Sequence, residues 1–184
     1  MAVRTPPLYL QAGSHSAEND RLGLYGLVGT QGVGPLTQLK VSQSGTPGMS
    51  VSVAAGWAWI LGTTTSTQGM YSTYNDAAVT LTIATAPVTN TRIDLVCMTI
   101  RDSAYAGSSN DVILQVITGT AAASPTVPTL PASSLSLATI LVGTGVSSIL
   151  NANITDTRAY AALSMAASGS GGASYSDVLM LGGM

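Results

Sequence analysis

The sequence predicts an all-β fold, either a sandwich or a partly open barrel of short antiparallel strands. Between residues 36 and 158, short runs that alternate apolar residues with Thr or Ser follow one another, and Gly- and Pro-rich links separate them. No helical patterns alternate with these runs, so a parallel α/β sheet is not expected. Charged residues make up only 8% of the 184 residues, so the polar surface has to come mainly from hydroxyl and amide groups.

Residues 1–35 are expected to form a docking segment, which consists of an extended arm and a short helix. Consecutive prolines fix φ and favour an extended backbone in the arm. At 16–28 the apolar spacing is helical, with Ser16 placed as N-cap and Glu18 and Asp20 in the first turn. The Gly-rich segment 29–35 is predicted to be a loop. The arm residues expected at an interface are Pro6, Pro7, Leu8, Tyr9 and Leu10.

The segment 36–158 is expected to be the β-domain. Its strongest run, at 92–101, is almost continuously apolar, which is typical of a central strand covered on both faces. The other predicted strands lie at 36–41, 49–53, 57–60, 79–83, 112–118 and 135–142, with a weaker run at 147–154.

The long link at 119–132 contains Pro125, Pro128 and Pro131. Prolines at a spacing of three favour polyproline II. We therefore expect a strap that lies across a surface of the domain, rather than a strand.

Residues 159–184 are expected to be a flexible C-terminal tail. The segment 168–174 (SGSGGAS) has the composition of a flexible linker. A short apolar segment, VLML at 178–181, follows it near the end. Leu179 and Leu181 are therefore candidate interface residues, and a frayed end is the alternative.

Composition excludes several classes of function. Only six Lys and Arg residues are spread over the chain and the net charge is −2, so a basic nucleic-acid interface is not expected. No apolar run approaches the length of a membrane span. One His and one Cys rule out a multi-His or multi-Cys metal site. We expect no cofactor, no nucleic acid and no membrane partner.

Catalysis is not expected. The chain contains none of the common phosphate-binding, hydrolase or metalloprotease motifs. The spacing of the aspartates does not single out a pair for acid–base chemistry. Cys97 lies inside the central apolar run, where a small buried hydrophobic role is the expectation.

Two pairs of opposite charges stand out because charge is rare in this chain. Arg92 and Asp94 flank one residue of a predicted strand, so both point to the same face. Asp156 and Arg158 repeat the spacing. Charges placed among apolar residues have to be mutually satisfied, so all four residues are predicted to be structural clamps, at a strand end or a subunit interface.

Trp57 and Trp59 are predicted to lie on one face of a strand, because they are separated by one residue. Such a pair is most often a core or interface ridge, since Trp brings a large contact area at low entropic cost. A carbohydrate-binding platform is the alternative that this pattern leaves open.

Several segments stand in a familiar order: GMSVSVAAGWAWI (48–60), GMYSTYNDAAVTLTI (69–83), TNTRIDLVCMTIRD (89–102), VITGTAAASPTVPTLP (116–131), LATILVGTG (137–145) and ITDTR (154–158). The ordered set resembles a domain of virion proteins of tailed bacteriophages. TPPLYLQAGSHSAENDRL (5–22) resembles the start of small tail-module proteins of actinobacterial phages. The resemblance implies a β-sandwich-like domain in trimeric tail or baseplate appendages. In longer relatives it precedes fibre or receptor-binding regions, whereas few residues follow position 158 here, so an accessory role is expected.

The sequence thus predicts a non-enzymatic structural protein of a tailed-phage virion, assembled in the host cytoplasm. The expected form is a homotrimer attached to the tail or baseplate through other virion proteins. Decoration of the head, on the major capsid protein, is the alternative. A carbohydrate-binding module is the more remote one.

Overall fold

The computed structural model describes residues 14–164, and it confirms the predicted fold class. Of the described residues, 41% are in strands and 10% in helices; the sheets that they form are antiparallel, and none of these sheets closes into a barrel. The helix is α1 (Ala17–Leu27), and the first strands are β1 (Val28–Thr30), β2 (Gly32–Val33), β3 (Val41–Gln43), β4 (Ser50–Val53), β5 (Gly56–Leu61) and β6 (Met70–Asn75). They are followed by β7 (Val79–Thr82), β8 (Arg92–Arg101), β9 (Asp111–Ile117), β10 (Ser134–Val142), a 3-10 helix (Asn151–Asn153), β11 (Ile154–Asp156) and β12 (Ala162–Leu163).

Three larger sheets pack around one core. The four-stranded sheet has the order β11-β10-β8-β9, and the two three-stranded sheets have the orders β2-β5-β6 and β3-β4-β7. A further pair, β1-β12, joins the first strand to the last. The core draws side chains from all three larger sheets: Val33, Leu39, Val41, Val51, Val53, Ala58, Ile60, Ile83, Val96, Met98, Leu135, Leu137, Ala138, Ile140, Val142 and Ile149. The packing is sandwich-like.

Strand β8 is the predicted central strand, and it lies between β10 and β9. Val96 and Met98 face the shared core. Leu95, Cys97 and Thr99, on the opposite face, are also buried. The almost unbroken apolar run thus reflects cover on both faces.

The predicted strap provides that second cover. Strands β9 and β10 are both antiparallel to β8 and flank it, so the connection between them has to return across one face of the sheet. The core occupies the face of Val96 and Met98, so the strap crosses the other. Pro125, Pro128 and Pro131 are half-buried, while Thr126 and Thr129 are exposed, as expected of a three-residue period.

Helix α1 begins at the predicted N-cap, since the Ser16 hydroxyl accepts the Asn19 N–H at 3.2 Å. None of its residues is fully buried. Arg21 is one of the helix residues that bind the domain: it donates to the Gln68 carbonyl and to the Tyr105 hydroxyl. Gly69, with φ +77°, lets the helix backbone approach closely, because a β-carbon there would overlap the Arg21 backbone.

Three local predictions are corrected. The segment 36–41 is a turn and not a strand, because Leu36 (φ 64°) and Leu39 (φ 52°) take the left-handed conformation, and β3 starts only at Val41. The predicted loop 29–35 contributes to two short strands, β1 and β2. The weaker strand predicted at 147–154 is instead a loop followed by the 3-10 helix, and β11 starts only at Ile154. In addition, strand β6 was not predicted, because in MYSTYN the buried residues Met70 and Thr73 break the alternation. The predicted runs at 49–53, 57–60, 79–83, 92–101, 112–118 and 135–142 match strands to within one residue at each end.

Candidate functional site

The first Arg–Asp pair is buried at the start of β8. Arg92 donates to Asp94 through Nε at 2.9 Å and through a terminal nitrogen at 3.2 Å. The two side chains are 6% and 0% exposed. The predicted ion pair is therefore present, and it lies wholly inside the domain.

This pair also binds three backbone groups. The Arg92 guanidinium donates to the carbonyl oxygens of Ala84 and Thr85 at 2.6 and 2.7 Å, and the Asp94 carboxylate accepts the Gly119 N–H at 2.9 Å. Gly119 is in turn packed so closely that a β-carbon would overlap the Ile93 carbonyl oxygen. The pair thus fixes the loop before β8 and the start of the strap.

The second pair lies where the chain leaves β11. Arg158 donates to both oxygens of Asp156, with its closest contact at 2.7 Å, and also to the carbonyl oxygens of Leu36 and Gln38 at 3.2 and 2.6 Å. The arginine side chain is 3% exposed, whereas the aspartate is 48% exposed. Hydrogen bonding from Arg158 lowers the pKa of the Asp156 carboxyl. This pair holds the strained turn at 36–39 against the C-terminal segment.

The segment that follows Arg158 pairs with the segment that follows the helix. Val33 donates to the Ala159 carbonyl at 2.8 Å and accepts from the Ala161 N–H at 3.0 Å. Val28 is the register partner of Leu163. Gly32 permits this approach, since a β-carbon there would overlap the backbone of residues 160 and 161. Strand pairing therefore joins a segment before the expected boundary at 35/36 to a segment after the expected boundary at 158/159.

An apolar groove of about 540 Å³ opens where these two segments meet. Leu36 stands at it with 82% exposure, and Leu163 with 59%. None of the residues that line it is charged. They are Val28, Val33, Gly34, Pro35, Leu36, Trp59, Tyr160, Ala161, Ala162 and Leu163.

The two tryptophans share the outer face of β5, as expected, but they have different surroundings. Trp59 lines the apolar groove. Trp57 is 48% exposed and stacks on its cross-strand neighbour Tyr74, with ring centroids 4.7 Å apart and an interplanar angle of 33°. Tyr74 is itself 57% exposed. We call Trp57 and Tyr74 the aromatic face.

The remaining predicted interface residues lie outside the described part of the chain. They are Pro6, Pro7, Leu8, Tyr9, Leu10, Leu179 and Leu181.

Sequence reasoning missed a polar cluster around Arg21. Its guanidinium lies 4.7 Å from the centroid of the Tyr71 ring and 5.4 Å from that of Tyr105. It donates to the Tyr105 hydroxyl at 2.6 Å and to the Gln68 carbonyl at 2.7 Å, and Tyr71 donates to Asp102 at 2.8 Å. Burial, above all, raises the pKa of Tyr71 to about 12. The rarity of charge was the signal available, because an arginine on a polar helix in such a chain needs partners.

Cys97 is free and fully buried, as predicted, and burial raises the pKa of its thiol. Among residues 14–164, no group of His, Cys, Asp and Glu side chains is arranged to hold a metal ion. Within the same residues, no helix has the length and apolar character needed to cross a bilayer.

No protein-family model, curated protein or solved structure matches this chain. Both the aromatic face and the apolar groove offer contact area and carry no charged side chain.

Proposed function

We propose that this chain is a non-enzymatic structural protein of a tailed-phage virion, a trimeric accessory protein of the tail or baseplate. The observation that carries the proposal is the aromatic face. Trp57 and Tyr74 expose about half of their surface and lie opposite each other on neighbouring strands. Exposed Trp and Tyr supply large contact areas at low entropic cost and dominate the energetics of many interfaces.

The surface chemistry supports the same proposal. With a net charge of −2 and 8% charged residues, separate copies repel one another little, which favours a fixed assembly over a free monomer. The ordered segments between 48 and 158 resemble a phage virion domain, and this resemblance supports the virion as the assembly to which the chain belongs. We propose a second and a third copy of this chain as the occupants of the aromatic face.

Native mass spectrometry and analytical ultracentrifugation of Trp57→Ala test the assembly. We expect the wild-type chain to be a trimer. The dissociation constant of the variant should be higher by about tenfold or more, as for a central interface residue. Val88→Ala is the matched control, because Val88 is 92% exposed and belongs to neither β5 nor β6, the two strands of the aromatic face. A monomeric wild-type chain would contradict the trimer.

Quantitative mass spectrometry of purified particles, against the major capsid protein, tests the location. A few copies in a multiple of three agree with the tail or baseplate. Hundreds of copies favour the alternative, a head decoration protein. The absence of the chain from particles would overturn the virion proposal.

A carbohydrate-binding module is the second candidate, because the Trp57 and Tyr74 rings are exposed side by side. Sugar rings stack on such surfaces through their apolar faces. In this case glycans quench tryptophan fluorescence of the wild-type chain, and Trp57→Ala abolishes the quenching without changing the oligomeric state.

A further inference from the structure

The apolar groove has no charged lining and an exposed leucine at its rim, so a ligand for it has to be apolar. Its volume of about 540 Å³ falls within the usual range of binding pockets, about 300–1,000 Å³. Trp59, Tyr160 and Leu163 are among its lining residues. Among the described residues, no side chain fills it.

The sequence beyond the described part contains an apolar segment of suitable chemistry. The segment 178–181 reads Val-Leu-Met-Leu, and residues 182–184 are Gly-Gly-Met. If the segment is extended, Leu179 and Leu181 point to the same side, so both can enter one groove.

The position of the chain exit favours this occupant. Leu163 lines the groove and Ser164 is the last described residue, so the chain leaves at the groove itself. Thirteen residues, 165–177, separate Ser164 from Val178. A Gly/Ser-rich linker of that length spans about 20 Å on average, and tethering over such a distance gives an effective concentration in the millimolar range.

We propose that the apolar groove is the binding site of the C-terminal segment 178–181 of the same chain. Leu179 and Leu181 lie against Trp59 and Leu36 in this arrangement, and Gly/Ser residues of 168–174 close the loop. The docking is a property of the isolated chain, so it does not depend on the virion or on the trimer.

Cysteine pairs in the full-length chain test the docking. We expect Leu36→Cys with Leu181→Cys to form a disulfide within one chain under mild oxidation, seen as a faster-migrating monomer on a non-reducing gel. Val88→Cys with Leu181→Cys is the matched control, because Val88 is 92% exposed, against 82% for Leu36, and does not line the groove. Equal yields from the two pairs would overturn the proposal, and products linked only between chains would assign the groove to the segment of a second copy.

Fluorescence of Trp59 in a Trp57→Phe background gives an independent readout. Leu179→Asp with Leu181→Asp is expected to shift the emission maximum to longer wavelength, because water enters the groove. Ser170→Asp with Ser176→Asp adds the same charge to the tail and leaves the emission unchanged. Identical emission from both double variants, with circular dichroism confirming that both are folded, would contradict docking.

Discussion

The two Arg–Asp pairs have the same spacing in the sequence and very different surroundings in the fold. Arg92 and Asp94 are both buried and bind three backbone groups besides each other. In the pair formed by Asp156 and Arg158 only the arginine is buried, and the carboxylate is about half exposed. The difference shows that the spacing in the sequence predicts which charges pair. How much each pair contributes to the stability of the fold depends on how deeply the rest of the chain buries it.

The largest effect is expected from Asp94→Ala. The substitution leaves the Arg92 charge buried without its partner, and removes the acceptor of the Gly119 N–H, so the free energy of unfolding falls by about 3–5 kcal/mol. Urea denaturation measures it. Asp76→Ala, at an exposed aspartate, is the control and stays within about 0.5 kcal/mol of wild type. Equal midpoints for the two variants would show that the buried pair contributes little.

Gly119→Ala tests the backbone around the same pair without removing a charge. The new methyl group overlaps the Ile93 carbonyl oxygen, so β8 or the strap has to shift, at a loss of about 1–3 kcal/mol. At Gly45 no atom lies within 4 Å of a β-carbon, and Gly45→Ala is expected to be close to neutral. The difference between the two midpoints is the measured quantity, and a difference near zero contradicts the close packing.

A smaller effect is expected from Asp156→Ala, about 1 kcal/mol, because the carboxylate is half exposed and Arg158 keeps its bonds to two carbonyl oxygens. Thermal unfolding compares this variant with Asp94→Ala. If Asp156→Ala destabilised the chain as much as Asp94→Ala, exposure would not be what separates the two pairs.

The smallest effect is the pH dependence of the second pair. Since Arg158 lowers the folded-state pKa of Asp156, this carboxylate stabilises the fold above the unfolded pKa of about 3.9, and the contribution is lost as the pH falls through the lowered value. The melting temperatures of wild type and Asp156→Asn should therefore differ constantly from pH 5 to 8 and converge below pH 4. A difference that persists at pH 2 would contradict this account.

The sequence predicted those elements whose signal is local. Alternation located β4 and β7, the unbroken apolar run located β8, and Pro125, Pro128 and Pro131 predicted the strap. The turn at 36–39 was missed because Leu36 and Leu39 are not typical of left-handed backbone. Arg158, 120 residues further along, donates to the Gln38 carbonyl in this turn.

The same limit applies to the candidate site. The spacing of Trp57 and Trp59 predicted a shared face. The two side chains belong to different surfaces, however, because Trp57 stacks on Tyr74 whereas Trp59 lines the groove together with residues 160–163. Apart from Trp59, the residues that line the groove come from both ends of the described chain, and such long-range proximity has no local signature.

The pairing of β1 with β12 has a consequence for folding. The first strand has to wait for Leu163 before its hydrogen bonds can form, so this part of the fold has a high contact order and forms late. During synthesis on the ribosome the sheets around β8 can assemble first, since domains fold as units while the chain emerges. The part of the groove lining that belongs to residues 160–163 therefore forms only after the ribosome has made β12. This shortens the time during which the exposed groove could bind a wrong partner.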